Sequence, residues 1–235
     1  MSDAEHKREP QYLLRGFEKW ALPRMAAALP KWVLPDHLTV LGLVSAVGIG
    51  VCYAVSGSSR NYLWAANALW VINWIGDSLD GTLARVRHIE RPRYGYYLDH
   101  MGDMFAVGFV CIGLGLSPYL LLSVGLALLM AYYLMSINVY LETFVMKTFQ
   151  FGYAHVGPTE VRAILIIAGS ALALGFEPTF KFENVPVGPL DLIGLVGVAV
   201  MLIMLLRRIL QNLSCLARLE PPNVVKKPVS DTPAA

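Results

Sequence analysis

Long apolar blocks constrain the fold of this chain more than any other feature. Six blocks are nearly free of charge, and they cover residues 38–55, 62–75, 104–116, 119–140, 161–176 and 190–206. A helix of about 20 apolar residues spans the hydrocarbon core of a bilayer. Several blocks reach that length, and the two shorter ones reach it only if their helices continue into the polar sequence between residues 75 and 104. We therefore predict an all-α integral membrane bundle of six transmembrane helices.

The distribution of basic residues predicts the orientation of this bundle. All but two of the 19 lysines and arginines fall on one side of a six-helix topology, and the exceptions are Arg60 and Lys181. Basic residues concentrate on the cytoplasmic side of membrane proteins. We therefore expect both termini in the cytoplasm and the protein in the inner membrane of a bacterium. A cationic face favours anionic substrates and lipids, and we expect no nucleic-acid partner.

Prolines and polar residues divide the chain into three predicted parts. Residues 12–33 mix apolar and charged side chains and contain Pro23 and Pro30. This mixture is typical of an amphipathic helix on the membrane surface, interrupted at its prolines. We predict a polar segment with this interfacial helix over residues 1–34, a transmembrane domain over 35–219 and a disordered tail over 220–235.

Four aspartates lie where the second and third apolar blocks approach each other. Asp77 and Asp80 are three residues apart, and Asp99 and Asp103 are four apart, so each pair lies on one face of its own helix. Charged groups beside the membrane are costly and mark functional sites. A set of oxygen ligands alone suits a hard divalent cation. We expect Mg²⁺ or Mn²⁺, with two ions at the site and the acids facing the cytoplasm.

Three classes of function are compatible with such acids. The first is an enzyme that breaks a phosphoanhydride bond, because a divalent metal and a nearby cation such as Arg85 can hold a pyrophosphate. The second is a divalent-cation transporter, which also uses intramembrane carboxylates. The third is a membrane scaffold without catalytic activity. The position of the acids at helix ends, beside an arginine-rich loop, favours the enzyme over the transporter, whose sites usually lie near the bilayer midplane.

The aspartates belong to a longer motif that resembles a known family. The motif reads Asp77-x-x-Asp80-Gly81-x-x-Ala84-Arg85, followed by Gly95-x-x-x-Asp99-x-x-x-Asp103. It is similar to the signature of the CDP-alcohol phosphotransferases, whose six-helix topology also matches the apolar blocks. The resemblance implies Mg²⁺-dependent transfer of a phosphoalcohol from a CDP-linked donor to a hydroxyl acceptor, with release of CMP. One of the two substrates would be a lipid, and the enzyme would be a homodimer.

The same resemblance implies roles for the residues of the motif. Asp77, Asp80 and Asp99 would be metal ligands, and Asp103 would complete the metal site and act as general base. The nucleotide and diphosphate pocket would be shaped by Gly81, Ala84 and Arg85.

A second resemblance lies just before the first apolar block. The sequence Pro35-Asp36-His37-Leu38-Thr39 is similar to the Pro-Asn-x-x-Thr segment that approaches the nucleotide in this family. Asp36 and Thr39 therefore join the predicted nucleotide site. Asp36 stands where the family usually has asparagine, so the donor hydrogen bond of the amide is missing.

His100 and four residues nearby in the predicted topology have two interpretations each. Residues 98–103 are similar to a stretch of the choline and ethanolamine phosphotransferases, so His100 either shares the role of base or forms an interhelical hydrogen bond. Arg91 and Arg93 contact a phosphate or only set the topology. In Gly157-Pro158-Thr159-Glu160, followed by Arg162, the residues either contribute acceptor contacts or simply begin a helix. The motif leaves open whether the lipid is the donor or the acceptor.

Overall fold

The structure is a computed structural model that describes residues 14–146, 157–176, 180–182 and 185–221. These residues form seven helices and one short antiparallel hairpin. In chain order the elements are α1 (Arg15–Ala28), α2 (Pro35–Val55), α3 (Asn61–Arg87), α4 (Pro92–Gly115), α5 (Leu122–Met146), α6 (Pro158–Ala173), β1 (Phe180–Phe182), β2 (Val185–Val187) and α7 (Pro189–Leu219). The predicted helical architecture is confirmed, and the hairpin, in which Phe180 pairs with Val187, was not predicted.

Four of these helices are long and apolar enough to cross a membrane, which supports a membrane protein. They are α2, α4, α5 and α7. The 16 residues of α6 fall short of a full span, and the 27 residues of α3 end in a polar stretch that begins at Asp77. Within the described residues the structure thus supports four candidate spans rather than the six predicted.

The helices of the second and third apolar blocks do continue into the aspartate motif. Helix α3 runs through Asp77 and Asp80 to Arg87, and α4 carries Asp99 and Asp103. His88 ends α3 in the left-handed conformation, with φ of 54°, and Pro92 begins α4 in a position where its missing N–H costs little. The two acidic helices are therefore joined by a turn of only four residues, as their spacing predicted.

The prediction that Pro23 interrupts the first helix is wrong. Helix α1 continues through Pro23 and ends at Ala28, before Pro30. Proline removes one helical hydrogen bond, but Leu22 and Ala26 bury themselves in a cluster with Leu79 and Leu83 of α3, and this packing holds the helix together. The predicted location of α1 on the membrane surface stays a prediction. The predictions for residues 1–13 and for most of the tail, 222–235, fall outside the described residues.

Close packing between α2 and α3 sets the geometry of the aspartates. A Cβ atom added at Gly76 would lie 2.6 Å from the backbone nitrogen of Gly42, so the two helices touch through their backbones one residue before Asp77. Leu79 and Leu83 are fully buried one and two turns further along α3, in a cluster with Leu38 of α2 and Ala26 of α1, which fixes the rotation of α3. Together these contacts turn the aspartate face of α3 towards α2 and α4.

A larger apolar core lies away from the aspartates. It contains Ile49, Tyr53, Leu63, Ala66, Trp70, Val110, Leu114, Leu120, Val124 and Leu172, from five helices and the connection between α4 and α5. Within it the indole nitrogen of Trp70 donates a hydrogen bond of 2.9 Å to the Tyr53 hydroxyl, so the buried polar atoms of both rings are paired. This core holds α2, α3 and α4 in fixed positions relative to one another.

Candidate active site

Three of the four aspartates converge between α3 and α4. Asp77, Asp99 and Asp103 each offer a carboxylate oxygen, and these oxygens all lie within 4.8 Å of one another. The Asp77 and Asp99 side chains are 29% and 48% exposed, so a ligand can reach them. Such a set of oxygens fits a hard divalent cation. We refer to these three residues as the acidic cluster.

Asp80 lies next to the acidic cluster but is held by other partners. Its Oδ2 accepts a hydrogen bond of 2.7 Å from the Thr39 hydroxyl, and its Oδ1 accepts one of 2.5 Å from the backbone N–H of Gly81. The predicted convergence of all four acids is therefore seen for three of them. The contact with Thr39 also brings the upstream Pro-Asp-x-x-Thr segment to the aspartate motif.

A cleft of about 340 Å³ opens beside these acids. It is lined by most of the residues that the sequence assigned to a donor site, namely Asp36, Thr39, Asp77, Asp80, Gly81, Ala84, Arg85, Asp99 and His100, and also by Arg91. Asp103 lies in a smaller adjoining recess with Gly102. A Cβ at Gly95 or at Gly102 would meet no other atom within 4 Å. These two glycines thus border open space, as expected for a ligand site.

One cation contacts the acidic cluster directly. The Nη2 atom of Arg162 donates a hydrogen bond of 2.5 Å to Asp77 Oδ2, although Arg162 lies 85 residues later in the chain, in the second turn of α6. Opposite charges at this distance attract strongly when they are partly buried. The structure thus brings Arg162 to the site, although it does not line the cleft.

Glu160 and Arg93 are not brought to the cleft in the described structure. The buried carboxylate of Glu160 accepts hydrogen bonds of 2.9 Å from the backbone nitrogens of Gly157 and Leu14. It therefore caps α6 and ties this helix to the start of α1, in agreement with the interpretation as a helix start. Arg93 is exposed in the first turn of α4 and is not among the described residues that line the cleft.

His100 lies at the edge of the cleft within an aromatic group. Its Nδ1 donates a hydrogen bond of 2.8 Å to the Tyr96 carbonyl and lies 3.7 Å from Asp99 Oδ2. The ring stacks on Tyr96 at 4.1 Å and lies 5.6 Å from the Tyr140 ring, measured between centroids. The hydrogen bond to Tyr96 lies within α4, and the ring contact with Tyr140 reaches α5. Both interpretations of His100, as a base and as a partner in an interhelical hydrogen bond, stay predictions.

Arg91 is fixed at the mouth of the cleft by two neighbours. Its Nη2 donates a hydrogen bond to Asp36 Oδ1, and its guanidinium carbon lies 4.0 Å from the centroid of the Tyr94 ring. The hydrogen bond to Asp36 raises the pKa of Arg91 above its ordinary value, so the group is charged at every physiological pH. Tyr94 was not predicted as a site residue. The three tyrosines at positions 94, 96 and 97, between the two halves of the aspartate motif, are the sequence feature that could have indicated it.

The sequence also missed the role of Arg87. Its guanidinium donates hydrogen bonds to the carbonyls of Leu29, Pro30 and Val33, at 2.5 to 2.9 Å. Arg87 thereby fixes the linker between α1 and α2 against the end of α3. Because Asp36 and Thr39 follow directly on this linker, Arg87 positions one wall of the cleft. Nothing in the spacing of the motif could have predicted this contact.

The chain is similar to known proteins over most of its length. The sequence profile of the CDP-alcohol phosphatidyltransferases matches residues 32–217. A CDP-diacylglycerol–glycerol-3-phosphate 3-phosphatidyltransferase of Cereibacter sphaeroides is 34% identical over 102 residues, which are 41% of this chain and 45% of that protein. The chain thus matches less than half the length of this curated relative.

A solved structure supports the fold. The phosphatidylinositol phosphate synthase of Mycobacterium tuberculosis, solved with CDP-DAG bound, superposes with a TM-score of 0.61. The match covers 82% of this chain and 94% of that one, at 20% sequence identity. This likeness concerns the arrangement of the helices.

Proposed function

The chain belongs to the CDP-alcohol phosphatidyltransferase family, and on this premise we propose that it transfers a phosphoalcohol from a CDP-linked donor to a hydroxyl acceptor and releases CMP. The observation that carries the proposal is the acidic cluster of Asp77, Asp99 and Asp103, beside a cleft that Arg85 and Arg91 also line. Such a cleft matches a diphosphate held between a metal and arginines. Nothing in the comparisons supports the alternative of a cation transporter.

The acids fit a divalent cation, on which enzymes of this family generally depend. We propose that Asp77, Asp99 and Asp103 hold Mg²⁺ or Mn²⁺, that Asp80 completes the set, and that two ions bind. Bound there, the metal would neutralise the diphosphate and stabilise the charge that develops on the leaving CMP. Arg85 lines the same cleft beside Gly81 and Ala84, and its guanidinium is suited to the diphosphate.

The remaining step is the transfer itself. The acceptor oxygen forms a bond to the β-phosphorus of the donor, and the bond between this phosphorus and the bridging oxygen breaks, so that CMP leaves with that oxygen. The acceptor proton passes to Asp103, which lies in the recess behind the cleft, or to His100 at its edge. Holding both substrates in line contributes to catalysis together with the proton transfer.

The named relatives favour a lipid donor. The curated relative is named for CDP-diacylglycerol as donor and glycerol 3-phosphate as acceptor, and the solved structure holds CDP-DAG. We therefore propose CDP-diacylglycerol as the donor and a polar alcohol as the acceptor, although residues 98–103 resemble the branch with a lipid acceptor. Arg162, and Arg91 and Arg93 at the start of α4, would then meet phosphate groups. A panel of labelled CDP-diacylglycerol, CDP-choline and CDP-ethanolamine, each with candidate acceptors, tests this choice through CMP release.

The setting of the enzyme is part of the proposal. We propose that α3 and α6 complete a six-span bundle with α2, α4, α5 and α7, that α1 lies on the cytoplasmic surface of a bacterial inner membrane, and that both termini are cytoplasmic. The strong asymmetry of lysine and arginine supports this orientation. We also propose a homodimer. Labelling of single cysteines from either side of intact vesicles tests the topology.

Asp103→Asn tests the central assignment. In reconstituted vesicles we expect CMP release to fall about 10³-fold, because the amide neither accepts the proton nor carries charge for the metal, while the fold stays intact. Glu220→Gln, the same change at an exposed carboxylate, should leave turnover unchanged. Retained turnover in Asp103→Asn would contradict its assigned role, and divalent-cation flux without CMP release would favour transport.

A further inference from the structure

The first helix is joined to α3 and to the start of α6 by one carboxylate. The Oε1 atom of Glu18 accepts a hydrogen bond of 2.5 Å from the Thr159 hydroxyl of α6 and one of 3.3 Å from the indole nitrogen of Trp74 in α3. Glu18 and Thr159 are 141 residues apart in the chain. None of the three is among the described residues that line the cleft. We refer to them as the α1 junction.

Both partners of Glu18 lie one helical turn before a residue of the site. Thr159 precedes Arg162 by three residues on α6, and Trp74 precedes Asp77 by three residues on α3. Residues three apart lie on the same face of a helix. Arg162 and Asp77 are themselves joined by a hydrogen bond of 2.5 Å. The α1 junction therefore connects the same two helices as the ion pair at the acidic cluster.

Other contacts already hold α1 and α6 on α3. Leu22 and Ala26 bury α1 against α3. The far half of α6 is held on α3 by a hydrogen bond of 2.9 Å from the Asn67 amide to the Ser170 hydroxyl. Because these anchors do not involve Glu18, and because a half-buried carboxylate is costly, we looked for a further role. What Glu18 adds is a polar contact on the first turn of α6.

The position of that turn decides where the guanidinium of Arg162 lies. The Arg162 and Asp77 side chains are 13% and 29% exposed, so water screens their attraction only in part. A long arginine side chain has many rotamers and stays in one of them only when its surroundings fix it. If the first turns of α6 shifted, the guanidinium would leave Asp77, and the negative charge of the acidic cluster would lose its contact with a cation.

We propose that Glu18 is a positioning residue that acts through Thr159 to hold Arg162 at the acidic cluster. The first helix thereby sets the charge of the site without contacting a ligand. The catalytic consequence rests on the proposed function. Loss of Glu18 should have two effects of opposite direction. Mg²⁺ should bind more tightly, because the acids lose a competing cation, and transfer should be slower, because Arg162 is displaced. A merely structural defect would weaken both.

Mg²⁺ binding and turnover of the purified full-length protein test this role together. The Mg²⁺ dissociation constant is measured by titration calorimetry, and turnover by CMP release in vesicles. We expect Glu18→Leu to tighten Mg²⁺ binding about 3- to 10-fold and to lower CMP release about tenfold. Thr159→Val, which keeps the shape of the side chain, should change both in the same directions. Glu18→Gln keeps an acceptor oxygen and should stay close to the wild type. Glu220→Leu, at an exposed position, should change neither quantity.

A double variant shows whether Glu18 acts through the arginine. Arg162→Gln alone should also tighten Mg²⁺ binding and slow CMP release. Two residues that act on one interaction have non-additive effects. Adding Glu18→Leu to Arg162→Gln should therefore change either quantity by less than about twofold.

The outcomes distinguish a failure of this role from a failure of the proposed function. Unchanged or weaker Mg²⁺ binding in Thr159→Val and Glu18→Leu would overturn the positioning role and leave the transferase assignment unaffected. Thr159→Val carries this comparison if Glu18→Leu does not fold. Effects of Glu18→Leu that multiply with those of Arg162→Gln would also overturn it. If the wild type releases no CMP from any CDP-linked donor, the proposed function fails, and the Mg²⁺ constants still decide whether Glu18 positions Arg162.

Discussion

Two groups of partly buried charges lie in different parts of this molecule. Between α5 and α7, the buried carboxylate of Glu142 accepts two hydrogen bonds from Arg208 and a third, of 3.0 Å, from the amide of Asn212. Between α3 and α4, the three acids of the cluster meet within 4.8 Å. Arg162 is the cation that the described structure places in direct contact with one of them.

The difference lies in how completely the charge is matched. Glu142 has one negative charge and one guanidinium in bidentate contact, and such a pair needs no further partner. The acidic cluster has three carboxylates for one arginine contact, at a place bordering a cleft. A matched pair serves to hold helices in register, whereas a surplus of like charge requires a ligand that supplies the missing positive charge.

The largest expected effect comes from breaking the matched pair. Arg208→Met should lower the free energy of unfolding in detergent micelles by roughly 3–5 kcal/mol, because Glu142 is left buried without its cation. The double variant Glu142→Leu with Arg208→Met should recover most of this loss, since no charge is stranded. Denaturant titration measures both. Equal stability of the single and double variants would show that the pair is not coupled.

A smaller effect, of opposite sign, is expected from supplying cations to the acidic cluster. Mg²⁺ at 100 times its dissociation constant should stabilise the fold by about 2.7 kcal/mol, because it binds only the folded site. The thermal midpoint should rise with added Mg²⁺ in the wild type and in Glu142→Gln, but not in Asp77→Asn. An equal rise in Asp77→Asn would place the stabilising cation elsewhere.

The contrast between the two groups also explains what the sequence could predict. The aspartates follow a local pattern, i to i+3 and i to i+4, on two helices joined by a short turn, so their convergence was readable from spacing. Glu142 and Arg208 are 66 residues apart and belong to no local pattern. The same holds for the contacts of Arg87 with the α1–α2 linker and of Arg162 with Asp77, which depend on how distant helices pack.

The ends and crossings of the helices also divide into those that local sequence predicts and those that depend on packing between distant helices. The continuation of α3 and α4 into the motif was predicted because the apolar blocks were too short without it. The passage of α1 through Pro23 was not predicted, because local propensity is overridden there by burial of Leu22 and Ala26. The close contact of Gly42 and Gly76 was missed because a glycine in an apolar block marks a crossing only once its partner helix is known.

The smallest expected effect distinguishes surplus charge from matched charge most directly. In the presence of a chelator, Asp99→Asn should stabilise the fold by about 0.5–1 kcal/mol, because it removes like-charge repulsion among groups about 5 Å apart that remain partly screened by solvent.

Asp191→Asn is the matched control. Both carboxylate oxygens of Asp191 accept backbone hydrogen bonds, from Leu121 and Gly188, so its loss should destabilise the fold. Thermal unfolding without metal shows whether each variant is more or less stable than the wild type. A loss of stability in Asp99→Asn would mean that this acid is already neutralised by the protein, and the cluster would then have no surplus charge for a cation to meet.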